Sequence, residues 1–286
     1  VSDGLADGVT DRTAHPAPDG RRILIILPAW NEADGLPAVL GEIKRQLPYV
    51  DTLVVDDGST DRTAEVAAAT GSAVARLPFN LGVGGAMRLG YRYAQQNGYD
   101  VAVQVDADGQ HDPAYVPSLL AGLREADLVI GARFDGEGDY QVRGPRRWAM
   151  GLLSLVLSWI TGTRLTDTTS GFRACNRPLI EFFARWYPVE YLGDTVESLV
   201  GAARCGFTVR QVPVAIRVRT TGRPSASPAK AMIYLVRAGL VLLLAMIRRM
   251  PRELKNLAPG SPYYTAFAAR PVRHPYPAEY VAEAEA

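Results

Sequence analysis

Two cysteines and three histidines in 286 residues leave little material for soft-metal or disulfide chemistry. Cys175 and Cys205 stand alone without metal-ligand spacing, a usage that fits a reducing cytoplasm. No run reaches the roughly 18–20 apolar residues that a bilayer-spanning helix requires. Ala231–Ile247 comes nearest, and Arg237 interrupts it. Val1–Gly20 is polar and has no apolar core of a secretory signal, so none is expected there. The net charge of +1 carries no overall signature of a nucleic-acid binder. No internal repeat is visible. What is abundant is apolar material: 48% of the chain is hydrophobic, enough for one large α/β domain or two small ones.

The apolar residues are grouped. Arg22–Leu27 is a continuous run of the kind found in a buried parallel strand. A helix is predicted from about Asp34, with Leu36, Val39, Leu40 and Ile43 at helical spacing. Thr52–Val55 reads as a strand ending in Asp56-Asp57-Gly58-Ser59-Thr60-Asp61, with Ser59 or Thr60 as N-cap of a helix over Asp61–Ala69. Ala73–Leu77 is a short strand, and Asn80–Gly85 a glycine-rich stretch before a helix reaching about Gln96. That stretch matches neither a dinucleotide fingerprint nor a phosphate-binding P-loop, and reads as a tight loop that lets the backbone approach a base or phosphate. Further strands are expected at Val101–Val105 and Asp127–Ala132, with a helix over Pro117–Arg124 between them. Trp148–Ile160, Gly193–Cys205 and Lys230–Met250 read as helices, and Phe207–Val218 alternates like a strand. Strands and helices that alternate with short connections make an α/β sheet, with functional residues at the strand ends.

The densest chemistry follows Val101–Val105. Asp106, Asp108, Gln110, His111 and Asp112 crowd one turn, which suits the place where a buried strand opens onto a ligand crevice. Carboxylates at i and i+2 with an amide oxygen at i+4 are hard oxygen donors suited to Mg²⁺ or Mn²⁺, which retain waters and also bind substrate phosphates. An acidic turn after a strand is the plain alternative. His111 reads as a turn residue or a partner of a ligand, and Asp112, before Pro113, as the start of the next helix. Asp56 and Asp57 are placed to accept hydrogen bonds from a base or ribose, beside a helix N-terminus that favours anions; capping a turn is their structural alternative.

Taken together, Pro28–Glu32, Val55–Asp61, Asn80–Gly85, Asp106–His111, Gly131–Arg133 and Ser170–Arg173 resemble, in order and spacing, the motifs of family 2 glycosyltransferases. The nearest likeness is to the dolichyl- and polyprenyl-phosphate sugar synthase branch, over roughly Arg22–Ser225. The resemblance implies a GT-A fold, a Rossmann-like nucleotide-sugar-binding α/β domain with a mixed central sheet flanked by helices. It also implies a nucleotide-sugar donor and anomeric inversion. It assigns donor binding to Pro28, Ala29, Glu32, Asp56, Asp57, Asn80, Gly84 and Asp106, with Arg223 as a mobile basic residue over the diphosphate, a solvated arginine on a linker being its plain alternative. The metal set would be Asp106, Asp108 and Gln110, with Mg²⁺ or Mn²⁺. Asp108, Arg133, Arg173, Asp194 and Glu197 are the catalytic candidates. Arg133 and Arg173 would face phosphates, while Asp194 or Glu197 would serve as base for a hydroxyl acceptor. Many relatives have an acidic pair where this chain reads Gly193-Asp194-Thr195, so capping and orienting an arginine is an equal reading of Asp194. A phosphate acceptor, ionised with a second pKa of about 6, needs cations more than a base.

From Arg217 to Arg252 no acidic residue occurs, while arginines and Lys230 recur. That pattern suits an apolar, basic C-terminal helix lying in an anionic membrane interface, with Trp148–Ile160 as a second contact; a core helix or an oligomer interface would also explain it. The expected organisation is an arm at 1–20, a GT-A domain at 21–225, a membrane-proximal amphipathic helix at 226–252 and a tail at 253–286. The expected partners are a nucleotide-sugar donor, a polyprenyl-phosphate or cell-envelope glycan acceptor and the membrane surface. An integral-membrane partner or a homo-oligomer is also open, and nucleic acid is not expected. Peripheral attachment to the inner face of the cytoplasmic membrane follows. A same-fold transferase acting on a saccharide or other hydroxyl, and a non-catalytic subunit that binds nucleotide sugar or lipid at the membrane, are the alternatives.

Overall fold

The structure, a computed structural model, describes residues 17, 19–133, 145–189, 194–217 and 239, with backbone alone for 145–150. Seven strands form one sheet: β1 (Ile23–Ala29), β2 (Asp51–Asp56), β3 (Ala73–Arg76), β4 (Val101–Gln104), β5 (Leu128–Arg133), β6 (Arg173–Asn176) and β7 (Val209–Val214). Their order is β3-β2-β1-β4-β6-β5-β7. All run parallel except β6, which is antiparallel to both β4 and β5. The C-terminal ends of the six parallel strands therefore share one edge with the N-terminal end of β6.

β1 is central because its side chains are apolar in both directions. Leu24 and Ile26 enter one core and Ile23, Ile25 and Leu27 the other, all essentially inaccessible. Each such side chain contributes about 1.5–3 kcal/mol of burial, which is why a continuous run predicts a covered parallel strand. One face of the sheet is covered by α3 (Gly82–Gln96), α5 (Pro145–Thr161), α6 (Arg177–Arg185) and α7 (Asp194–Arg204). The other is covered mainly by α1 (Leu36–Gln46) and α4 (Val116–Gly122), with Ala67 from α2 (Thr63–Ala69). α1 buries Leu36, Val39, Leu40 and Ile43, the i, i+3, i+4, i+7 stripe of an amphipathic helix.

Two local expectations are corrected. α2 begins at Thr63 and has no side-chain cap, because Ser59 and Thr60 are engaged elsewhere, as described below. The glycine-rich stretch is not a free loop: Gly82–Gly85 form the first turn of α3. β6 and α6 have no counterpart in the sequence reading. β6 has only four residues, too few for a periodicity, and α6 is started by the Asn176 side chain, which accepts the Leu179 N–H at 3.2 Å. Arg223 and, apart from Gly239, the helix expected at Lys230–Met250 lie outside the described residues.

Gly90 shows how closely α3 sits on the sheet. A Cβ there would stand 2.5 Å from Cγ2 of the buried Ile26. Gly90→Ala gains about 1 kcal/mol of helix propensity but overpacks a rigid core, which costs about 1–3 kcal/mol or more. Net destabilisation is expected, read as a lower urea midpoint at unchanged m-value.

Candidate active site

The loops after β1 and β2 are stitched together. Asp57 N–H donates to Ala29 C=O at 2.9 Å. Asn31, the one non-glycine residue with positive φ among those described (55°), donates its N–H to Ser59 Oγ, while its Oδ1 accepts the Thr60 N–H. Glu32 N–H donates to Thr63 Oγ1 and Ala33 N–H to Asp61 Oδ2. The hydroxyl of Ser59 and the amide of Thr60 thus order the 31–33 loop, which is why neither residue caps α2. Pro28 is partly buried, Ala29 is buried, and Trp30 stands out in solvent at the mouth.

Asp56 and Asp57 differ in role although adjacent. Asp56 is fully buried; its Oδ1 accepts the Ser59 N–H at 2.9 Å, and its Oδ2 lies 3.1 Å from Arg76 Nε as an ion pair. Asp57 turns the other way, accepting Leu81 N–H at 2.7 Å and Gly82 N–H at 2.8 Å on its two oxygens. It therefore caps α3 and complements the positive end of that helix. Burial pushes its carboxyl above the usual range, opposed by those two N–H bonds. Asn80 Oδ1 also accepts Gly82 N–H at 3.0 Å. Beside them an open cleft of about 380 Å³ is lined by Gly58, Ser59, Arg76, Leu77 and Pro78.

At the end of β4 the acidic turn is part-exposed. Asp108 Oδ1 accepts the Gln110 N–H at 3.0 Å, folding the turn on itself. His111 is buried beneath it, stacked on Phe172 at 4.8 Å. Its Nδ1 accepts the Asp106 N–H at 3.0 Å, which leaves the ring proton on Nε2, 3.6 Å from Asp106 Oδ2. Asp112 accepts the Ala114 N–H and starts the 3-10 turn Pro113–Tyr115. Gly171 comes from the far side: a Cβ there would lie 3.1 Å from both Asp106 oxygens. The absent side chain is thus the space that the Asp106 carboxylate faces. Among the described residues no three His, Cys, Asp or Glu side chains converge on a preformed metal cage. Two part-exposed carboxylates and an amide are the donor set of a hard divalent ion that completes its shell with water and phosphate, and these residues fit one.

The antiparallel insertion of β6 brings the remaining candidates to this turn, since Gln104 pairs with Arg173. Arg173 is buried. Its Nε donates to Ser170 C=O at 2.7 Å, Nη1 to Thr195 C=O at 3.0 Å and Ser198 Oγ at 3.3 Å, and Nη2 to Thr168 C=O at 3.2 Å. It ties the 168–170 loop to α7. Arg133, more exposed, is held by Asp167 at 2.6 Å and 3.2 Å and by Thr169 at 3.2 Å. That pairing, helped by the Thr169 N–H, outweighs burial and holds the Asp167 carboxyl below its ordinary range. Asp194 opens α7 and is buried, and its Oδ2 has no hydrogen-bond partner among the described residues. Gly84 in the first turn of α3 lies against it: a Cβ there would be 3.1 Å from Asp194 Cβ and 2.4 Å from Pro188 C=O. Glu197 is buried one turn further on.

The structure thus gathers Asp106, Arg173, Asp194 and Gly84 where β4 and β6 meet and sets Asp56, Asp57 and Asn80 around the end of β2, with β1 between. Arg223 falls outside the described residues. Sequence reasoning named Gly171 only within the Ser170–Arg173 motif, and did not single out Asp167 or the buried seat of His111. The sequence signal for Asp167 is its place in the polar stretch just before that motif, and for His111 its place in the acidic turn.

Burial pushes the Asp194 carboxyl up to about 6; the Arg173 charge and the Thr195 N–H oppose this, and Asp106 reinforces it. The folded chain then keeps a proton that the unfolded chain releases near pH 4. Stability associated with this group is therefore present at low pH and lost as the pH rises from about 4 to about 6. Relative to Asp194→Asn, the wild type is expected to lose up to about 3 kcal/mol across that window and nothing further above it. Denaturant titrations of both proteins at each pH, with chelator present, read the difference.

Comparison with known proteins gives these features a lineage. The family model described as glycosyl transferase family 2 matches residues 24–183. An undecaprenyl-phosphate mannosyltransferase of Micrococcus luteus is 34% identical over 238 residues, covering 77% of this chain and 94% of that one. A polyprenol monophosphomannose synthase of Mycolicibacterium smegmatis is 31% identical over 216 residues, covering 71% and 80%. Among solved structures, glucosyl-3-phosphoglycerate synthase of Mycobacterium tuberculosis in complex with Mn²⁺, UDP and glucosyl-3-phosphoglycerate superposes with a TM-score of 0.61. At 23% identity over 81% of this chain and 82% of that one, it shows a common GT-A fold. The chain belongs to glycosyltransferase family 2, in the branch similar to the polyprenyl-phosphate sugar synthases.

Proposed function

We propose that the protein transfers a sugar, with inversion and with a divalent ion, from a nucleoside diphosphate donor to a polyprenyl phosphate at a membrane surface. The observation that carries this reading is the part-exposed Asp106–Asp108–Gln110 turn, facing Gly171 at the strand edge beside the Asp56–Asp57 crevice. The names of the two bacterial relatives supply the acceptor class.

In this reading the 28–32 loop, Asp56 and the Asn80–Gly84 turn receive the nucleoside. Asp57 acts through α3, whose N-terminus it fixes. Asp106, Asp108 and Gln110 hold Mg²⁺ or Mn²⁺, which would neutralise charge developing on the departing diphosphate. An acceptor phosphate oxygen attacks the anomeric carbon from the opposite face as the bond to the diphosphate breaks, so the nucleoside diphosphate leaves with the electron pair. Arg133, oriented by Asp167, is proposed to meet the acceptor phosphate. Arg173 acts by holding the 168–170 loop against α7, since its donors are engaged by backbone and Ser198.

The membrane contact rests on α5. Leu152, Leu155 and Trp159 recur on one face and are 63%, 68% and 77% exposed. No helix among the described residues is long and apolar enough to cross a bilayer, so this face is proposed to lie in the interface. Arg223 and the basic C-terminal segment remain proposed contributors on sequence grounds.

One observation favours a second acceptor class. Asp194 is a buried carboxylate with an unpaired oxygen and an ionisation near 6, the properties of a general base for a hydroxyl. Glu197, one turn along, is the other candidate.

The decisive assay supplies labelled UDP-, GDP- and dTDP-sugars with Mn²⁺ and polyprenyl phosphate, and extracts product into organic solvent. Label is expected in the solvent phase, and Asp106→Ala and Asp108→Ala should each abolish it while remaining folded. Turnover retained by either variant would defeat the metal assignment. Asp194→Asn separates the acceptors: a phosphate acceptor should lose less than about tenfold in kcat, whereas a hydroxyl acceptor should lose about 10²–10⁴-fold.

A further inference from the structure

One arginine outside the motif set joins three elements at the edge of the acidic turn. Arg217, just past β7, forks onto Glu42 of α1, with Nη1 2.7 Å from Oε2 and Nη2 2.8 Å from Oε1. The same Nη2 lies 2.7 Å from Asp112 Oδ2. Its backbone is engaged as well. Arg217 N–H donates to Gln110 C=O at 3.0 Å, Gln110 Nε2 lies 3.5 Å from Arg217 C=O, and Ile216 forms an antiparallel bridge with His111. Gln110, His111 and Asp112 are thus each tied to the 216–217 segment.

This matters because the turn has two legs. The upstream leg is β4, fixed in the middle of the sheet between β1 and β6. The downstream leg, 110–112, has no strand of its own. Its attachments are the 216–217 segment, the His111 ring beneath Asp106 and the start of the 3-10 turn. A planar guanidinium shared by two carboxylates fixes direction as well as distance, which an ammonium does not. An exposed ion pair adds little to global stability, so the effect of this cluster should be local.

We infer that Arg217 is a positioning residue for the metal turn: through Glu42 and Asp112 it holds the 110–112 leg, and with it the spacing of Asp106, Asp108 and Gln110. The inference rests on the reading of that turn as the metal site. It differs from that reading because the Arg217 guanidinium is assigned to Glu42 and Asp112 and not to the metal or the substrate.

The test uses the full chain and free Mn²⁺, followed by its electron paramagnetic resonance signal, alone and with UDP or GDP, beside a thermal melt. Partners that orient metal ligands typically contribute about 10–100-fold to affinity. Arg217→Lys and Glu42→Gln are therefore expected to bind Mn²⁺ at least about tenfold more weakly, with little change in melting temperature. Arg210→Ala, which removes the Arg210–Glu125 pair elsewhere on the surface, should bind as wild type. If Arg217→Lys and Glu42→Gln bind Mn²⁺ like the wild type while Asp108→Ala does not, positioning by Arg217 is overturned and the metal turn stands. Weakening that only tracks the loss of folded protein also overturns it. If wild type and Asp108→Ala behave alike, the metal reading itself falls and takes the inference with it.

Discussion

The acidic-turn side of the site depends on the antiparallel strand inserted between β4 and β5. Without β6, the acidic turn would end a parallel strand with nothing facing it. With it, the register Gln104 to Arg173 delivers the 168–172 loop to the edge where β4 stops. Gly131 N–H to Phe172 C=O at 2.8 Å closes the loop on the β5 side. Gly171 then faces the Asp106 carboxylate, Phe172 supports the His111 ring, and Arg173 reaches across to α7. A single reversed strand thus converts a nucleotide-type α/β edge into a two-sided cleft.

The second constraint is electrostatic. Asp56, Asp57 and Asp194 are buried carboxylates within one site, an arrangement that burial alone would disfavour. Each is handled differently. Asp56 has a backbone N–H and the Arg76 charge; Asp57 has two N–H groups at a helix N-terminus. Asp194 has the Arg173 charge and one unpaired oxygen, and its ionisation is raised to about 6. Its compensation is the least complete of the three.

The same reasoning weighs the cations. Arg133 and Arg173 look alike in sequence as phosphate partners, yet their surroundings separate them. Arg173 is enclosed and donates to three carbonyls and a hydroxyl, so it orders the protein. Arg133 is part-exposed at the end of β5 and oriented by a carboxylate. Arg217 is a third kind, far less enclosed than Arg173 but committed to two carboxylates and to the main chain of the acidic turn.

Much of this is legible in the sequence. The apolar runs at Arg22–Leu27 and Val101–Val105, the stripe of α1 and the carboxylates at the ends of β2 and β4 are local patterns, and local patterns suffice for parallel strands covered by amphipathic helices. Ordered together, the motifs identified the family as well. Other features were not legible because they arise from contacts between segments far apart in the chain. β6 is too short to show a period, and its direction depends on neighbours on both sides. Ser59 and Thr60 look like caps, but the competing amides belong to the 31–33 loop. The glycines at 82–85 look like a loop, but the Asp57 carboxylate converts them into the first turn of a helix. Composition and spacing therefore determined the fold class and the residue types at the site. Only the tertiary structure decided which carboxylates are capped, which arginine is enclosed and what stands opposite Asp106, because burial and pairing are properties of neighbours in space.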